Sequence, residues 1–101
     1  MDERLISCSK DWTVLKIIGP GKNNSFHLNY FDIDSIQFDK TYIEKLFRKI
    51  PTERIRIFTK SSKDPLEFTR YRNAKYFDEY KQELIKFSKD NKIRLNDYTI
   101  S

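Results

Sequence analysis

Asn73-Ala74-Lys75-Tyr76-Phe77-Asp78-Glu79-Tyr80-Lys81-Gln82-Glu83-Leu84-Ile85-Lys86-Phe87 is the most strongly periodic stretch of the chain. Phe77, Tyr80, Leu84 and Phe87 recur at steps of three and four, which lines them up as one stripe of an α-helix. Asp78, Glu79, Lys81, Gln82, Glu83 and Lys86 fill the other side. Asn73 is the expected cap, because its side-chain oxygen can accept from a free N–H of the first turn. Glu79 and Glu83 are like charges one turn apart, so the surface lends the helix little support. Such a helix must be held by packing its stripe on a sheet.

The residues before it supply strands. In Arg54-Ile55-Arg56-Ile57-Phe58-Thr59 isoleucine alternates with arginine, and Leu66 and Phe68 share one face of Pro65–Arg70. The polar turn Ser61-Ser62-Lys63-Asp64 joins the two runs into a hairpin. Setting Lys60 opposite Pro65 pairs Ile57 with Phe68 and Thr59 with Leu66 on the inner face. The same register pairs Phe58 with Glu67 and Arg56 with Thr69 outside. A one-residue slip would turn the arginines inward, so the pattern is expected to fix the register.

Further back, Tyr42, Ile43, Leu46, Phe47 and Ile50 fit helical spacing, and Thr41 with Glu44 can form a capping box. The spacing predicts a short helix over 41–50, ended by Pro51. Ile33, Ile36 and Phe38 predict an extended segment after a bend at Asp32–Ser35. Gly19-Pro20-Gly21, followed by Lys22-Asn23-Asn24, is the strongest turn signal. It separates the apolar run Trp12–Ile18 from Phe26, Leu28 and Tyr30, which alternate with His27 and Asn29. These are expected to form a second hairpin. Ile93, Leu95, Tyr98 and Ile100 give the tail either a short edge segment or mobility.

With 101 residues the chain is read as one domain, core 12–90 and tail 91–101. Charged residues make up 35% and aromatic residues 15%, too charged for a membrane protein and too aromatic for a disordered one. No apolar run is long enough for a transmembrane segment. The single cysteine, Cys8, and an acidic start without a signal-peptide pattern point to the cytoplasm. The net charge of +5 is unevenly spread: residues 45–75 hold ten Lys or Arg against three acids, and the remainder ten against twelve. Such asymmetry points to an anionic partner.

The order of hairpin, further strand, basic hairpin and long C-terminal helix resembles the pleckstrin-homology-like domains of many small bacterial proteins. The similarity lies in Arg54–Thr59, Leu66-Glu67-Phe68 and the helix opening Asn73–Tyr80. The passage with Tyr30, Ile33, Ile36 and Phe38 is similar to the one between their second and third strands. The resemblance implies an α+β fold: a small antiparallel sheet or partly open barrel capped by the C-terminal helix. It also implies a binding or interaction module rather than an enzyme.

The residues agree with that expectation. His27 and Cys8 lack the partners of a nucleophile or base motif. Asp32 and Asp34 lack the further oxygen ligands of a calcium loop and fit Asx turns instead. Gly19-Pro20-Gly21-Lys22 is not a phosphate loop, and no motif calls for a cofactor. The candidate contact residues are Arg54, Arg56, Phe58, Arg70, Tyr71, Arg72 and Lys75. Arginines two apart on a strand suit phosphate or carboxylate contacts. Phe58 and Tyr71 can stack on a base or fill a partner's pocket. The alternative is that Arg56 pairs with Glu67 across the hairpin. A protein partner leads, with nucleic acid and an anionic membrane surface as alternatives.

Overall fold

Isoleucine alternation drives the central ladder. Ile33–Lys45 (β4) and Arg48–Thr59 (β5) form one long antiparallel ribbon, with Ile36 opposite Ile57 and Phe38 opposite Ile55. The computed structural model describes residues 4–18 and 25–100. Ile33 and Ile36 are both buried although three apart, which a period of two forbids. A bulge between Ile33 and Ser35 restores the parity. Leu66–Thr69 (β6) pairs antiparallel with β5, and Arg94–Asp97 (β7) pairs parallel with β4. The sheet order is therefore β6-β5-β4-β7.

A second sheet comes from the N-terminal third. Ile6–Cys8 (β1), Val14–Ile18 (β2) and Ser25–Asn29 (β3) run in sequence order, each antiparallel to the next. Leu15 and Ile17 point into the core while Lys16 faces out. The early hairpin is as expected, although its Gly19–Asn24 turn lies outside the described residues. The fold is α+β, with two mostly antiparallel sheets that do not close into a barrel.

Phe77–Asn91 (α1) closes the core, and Phe77, Tyr80, Leu84 and Phe87 are all essentially inaccessible. They join Ile6, Leu15, Ile17, Ile36, Phe38, Ile55 and Ile57 in a single cluster. At about 25 cal/mol per Å² of apolar surface, each such side chain contributes roughly 1.5–3 kcal/mol. The Tyr80 hydroxyl also accepts from the Leu5 N–H at 2.7 Å, tying β1 to the helix.

The structure corrects several expectations. Residues 41–50 are ribbon, not helix: Ile43 sits opposite Ile50 and Tyr42 opposite Pro51. A helix of ten residues is marginal in isolation, whereas the strand form extends a ladder already begun in the core. Pro51 is tolerated because the ribbon has open edges there. The late hairpin pairs Ile57 with Leu66, Arg56 with Glu67 and Ile55 with Phe68, two residues away from the expected register. On its other edge β5 pairs Thr59 with Ile33, and the Lys60 N–H donates to the Asp32 carbonyl. A shift of two leaves every face unchanged.

Other departures are local. Asn73 does not cap the helix: its amide donates to the Thr69 carbonyl within a preceding turn, and Tyr76 occupies the cap position. Tyr30 leaves the strand in a short 3-10 turn, Tyr30–Asp32, and is exposed. Asp32 accepts there from the Asn29 N–H at 3.2 Å, reaching back three residues as the N3 acid of a capping box and not forming the expected Asx turn. Trp12 lies in a turn with φ 61° rather than in the strand. The tail supplies β7 at a sheet edge, the first of its two expected alternatives, and β1 brings buried Ile6 into the core from outside the expected range.

Candidate functional site

The basic late hairpin is knitted to its own acids. Arg54 grips Asp39 with two parallel hydrogen bonds, Nε to Oδ1 and Nη2 to Oδ2, both 2.8 Å. Gln37 donates to the same carboxylate at 2.6 Å. Burial pushes the Asp39 carboxyl up, but the hydrogen bonds from Arg54 and Gln37 outweigh it and hold the group below its ordinary range. The bond to Asp39 in turn lifts the Arg54 guanidinium. Arg56 lies 3.0 Å from Glu67, the cross-strand alternative, and its guanidinium covers the Phe58 ring.

Arg70 is engaged twice over, by Glu53 at 2.7 Å and Asp78 at 2.6 Å, and stacks on buried Phe77. Lys81 adds a second cation to Glu53 at 3.1 Å. Burial raises the Glu53 carboxyl, yet the hydrogen bonds from Lys81 and Arg70 leave it lowered. Arg72 and Lys75 are exposed and, among the described residues, have no ion pair; the Lys75 ammonium rests over the Tyr76 ring. The candidate residues therefore divide. Arg54, Arg56 and Arg70 brace the sheet, Phe58 is half covered, and Tyr71, Arg72 and Lys75 face solvent.

Tyr71 leads to a different feature. Its N–H donates to Thr52 Oγ1, and Lys45 Nζ donates to its hydroxyl at 3.2 Å, so it props the base of the β4–β5 ribbon. The ladder with β7 ends at Phe38 and that with β6 at Arg54. Beyond those points β4 and β5 pair only with each other, as an arm of about six residues, roughly 20 Å long. Leu46 and Phe47 form its two-residue turn, with φ 49° and 65°. Two positive φ values define the type I′ turn, which normally takes Asn-Gly. Leucine and phenylalanine bear a steric cost there.

That cost yields no packing. Leu46 is 81% and Phe47 109% exposed, and Tyr42 on the same arm is exposed as well. Lys45, Arg48 and Lys49 surround them with one acid, Glu44, all exposed and without an ion pair among the described residues. The arrangement is an apolar knob in a cationic collar. The sequence reading missed it because Lys45-Leu46-Phe47-Arg48 carries no Gly or Asn. A usable signal was present in the mirror pattern about that centre, Ile43 with Ile50 and Glu44 with Lys49, although Lys45 opposite Arg48 sets like charges together.

The remaining reactive groups are unremarkable. His27 is exposed, and burial pushes the Cys8 thiol up to about 11 despite the nearby Arg4 charge. No three His, Cys, Asp or Glu among the described residues converge as a metal site. No helix among them is long and apolar enough to cross a membrane. Compared with protein-family models, curated proteins and solved structures, the chain matches none.

Proposed function

We propose that the protein is a non-catalytic interaction module that engages an acidic protein partner through the tip of the β4–β5 arm. One observation carries this reading: Leu46 and Phe47 are held in an unfavourable backbone conformation at nearly full exposure. Strain kept at a surface with no internal return is characteristic of sites with a task. A large apolar pair inside a polar rim has the anatomy of an interface anchor, which fills a pocket while its surround excludes water. Lys45, Arg48 and Lys49 would steer it to an acidic rim. Of the other candidate residues Tyr71 touches the arm, through Thr52 and Lys45. The resemblance to pleckstrin-homology-like domains supports a binding role too, as a proposal resting on residue patterns, since the sheets stay open and β7 runs parallel.

The test compares the native chain with the double variant Leu46→Asn/Phe47→Gly, whose turn suits the backbone but has no knob. Both would be used for affinity isolation from native extract treated with nuclease, and in sedimentation with phosphatidylserine vesicles. The reading expects an acidic protein that binds the native chain reversibly and is lost with the double variant. Equal recovery by both chains refutes it. Vesicle binding that depends on the pair would replace the protein partner with an anionic membrane.

A further inference from the structure

The other end of the ribbon carries a second set of unpaired cations. A cleft of about 490 Å³ opens where the 3-10 turn, the end of β5 and the start of β7 meet. Lys60, Lys92 and Arg94 line it, each from a different element. All three are exposed, and none is ion-paired among the described residues, in contrast to Arg54, Arg56 and Arg70. The one acid in the lining is Asp34.

Backbone contacts fix the cations around the cleft. The Lys60 N–H donates to the Asp32 carbonyl at 2.9 Å, and Arg94 sits opposite Ser35 in the parallel ladder. Lys92 has φ 56° at the helix end, where glycine or asparagine is favoured. The helix end itself is closed by N–H groups of Lys92 and Ile93 that both reach the Ser88 carbonyl. The lysine side chain is thus not needed to satisfy it.

The rim is aromatic. Tyr30 and Phe31 meet edge to face, ring centres 5.4 Å apart and planes at 80°. Phe31 is 58% exposed, and Tyr30 beside it is exposed as well. A bare phosphate would account for the cations and leave the rings unexplained. A purely apolar ligand would do the reverse. Cations beside exposed ring faces suit a charged backbone with flat bases, and single strands present both.

We propose that this cleft binds nucleotide units of single-stranded nucleic acid, with a base stacked on Phe31 or Tyr30 and phosphate held by Lys60, Lys92 and Arg94. The arm tip lies at the opposite end of a ribbon roughly 40 Å long, so this site stands apart from the interaction surface above.

The experiment is fluorescence anisotropy of a short labelled oligouridylate titrated with the full chain at rising salt, with uridine monophosphate as competitor. Three phosphate contacts predict a log–log salt slope of roughly −2, and Arg94→Gln should lessen it by about 0.7. Phe31→Ala should weaken binding about 10- to 100-fold. Both side chains are exposed, so melting temperatures should not move. Leu46→Asn/Phe47→Gly should bind as the native chain does. Displacement by the mononucleotide at matching concentration marks a free nucleotide as the source, and displacement only at far higher concentration marks a strand. Either result supports the nucleotide site. Absence of saturable binding at low salt overturns the proposal. So does binding that Phe31→Ala and Arg94→Gln leave unchanged, or that the arm-tip variant abolishes.

Discussion

Replacing Leu46-Phe47 by Asn-Gly should make the protein more stable while removing its most prominent apolar side chains. A non-glycine residue in left-handed conformation costs about 1 kcal/mol or somewhat more. Two such residues stand at the tip, with φ 49° and 65°. Glycine relieves the cost at one position and asparagine most of it at the other. Against this, glycine frees the unfolded chain by roughly 0.5–1 kcal/mol. The lost side chains contribute almost nothing to burial at 81% and 109% exposure. The net gain is about 1 kcal/mol, or roughly 4–8 °C in melting temperature for a domain of this size. Reversible thermal melts followed by circular dichroism would measure it. Leu46→Ala/Phe47→Ala keeps the backbone cost and should leave the melt nearly unchanged. A double Asn-Gly variant that melts at or below the native temperature would refute both the turn geometry and the claim that the knob is not a folding element.

Leu84→Ala or Phe77→Ala should cost about 2–5 kcal/mol in denaturant titrations, because both side chains are fully enclosed. Arg54→Ala should cost about 2–3 kcal/mol by leaving the Asp39 carboxylate without its guanidinium, while Arg72→Ala should stay within about 0.5 kcal/mol. Tyr80→Phe should lose about 1 kcal/mol by stranding the Leu5 N–H, read as a small fall in melting temperature. Asp39 and Glu53 are both lowered in the folded chain. They therefore add stability above their unfolded values near 4 and lose it as pH falls through the folded ones. Melting temperature should drop below about pH 4, and Asp39→Asn should flatten that drop.

The helix stripe was legible from spacing alone, because Phe77, Tyr80, Leu84 and Phe87 can share one face only if the chain is helical. Parity on the late hairpin was legible for the same reason: isoleucine must face in and arginine out. The register was not. Pairing Ile57 with Leu66 or with Phe68 buries the same faces, so side-chain alternation alone cannot choose between them. In the candidate site, the residue types of Arg54, Arg56 and Arg70 announced anion contacts, but which carboxylates they would meet depended on Asp39, Glu53 and Asp78 arriving from other elements. Tyr42, Ile43, Leu46, Phe47 and Ile50 satisfied a helical period and also a folded-back strand. Local spacing is a property of a few consecutive residues, so it was enough for the apolar face of the helix and of the late hairpin. Which strand lies beside which is a bargain among distant segments, and only the tertiary structure turned residues 41–50 into an arm with leucine and phenylalanine at its end.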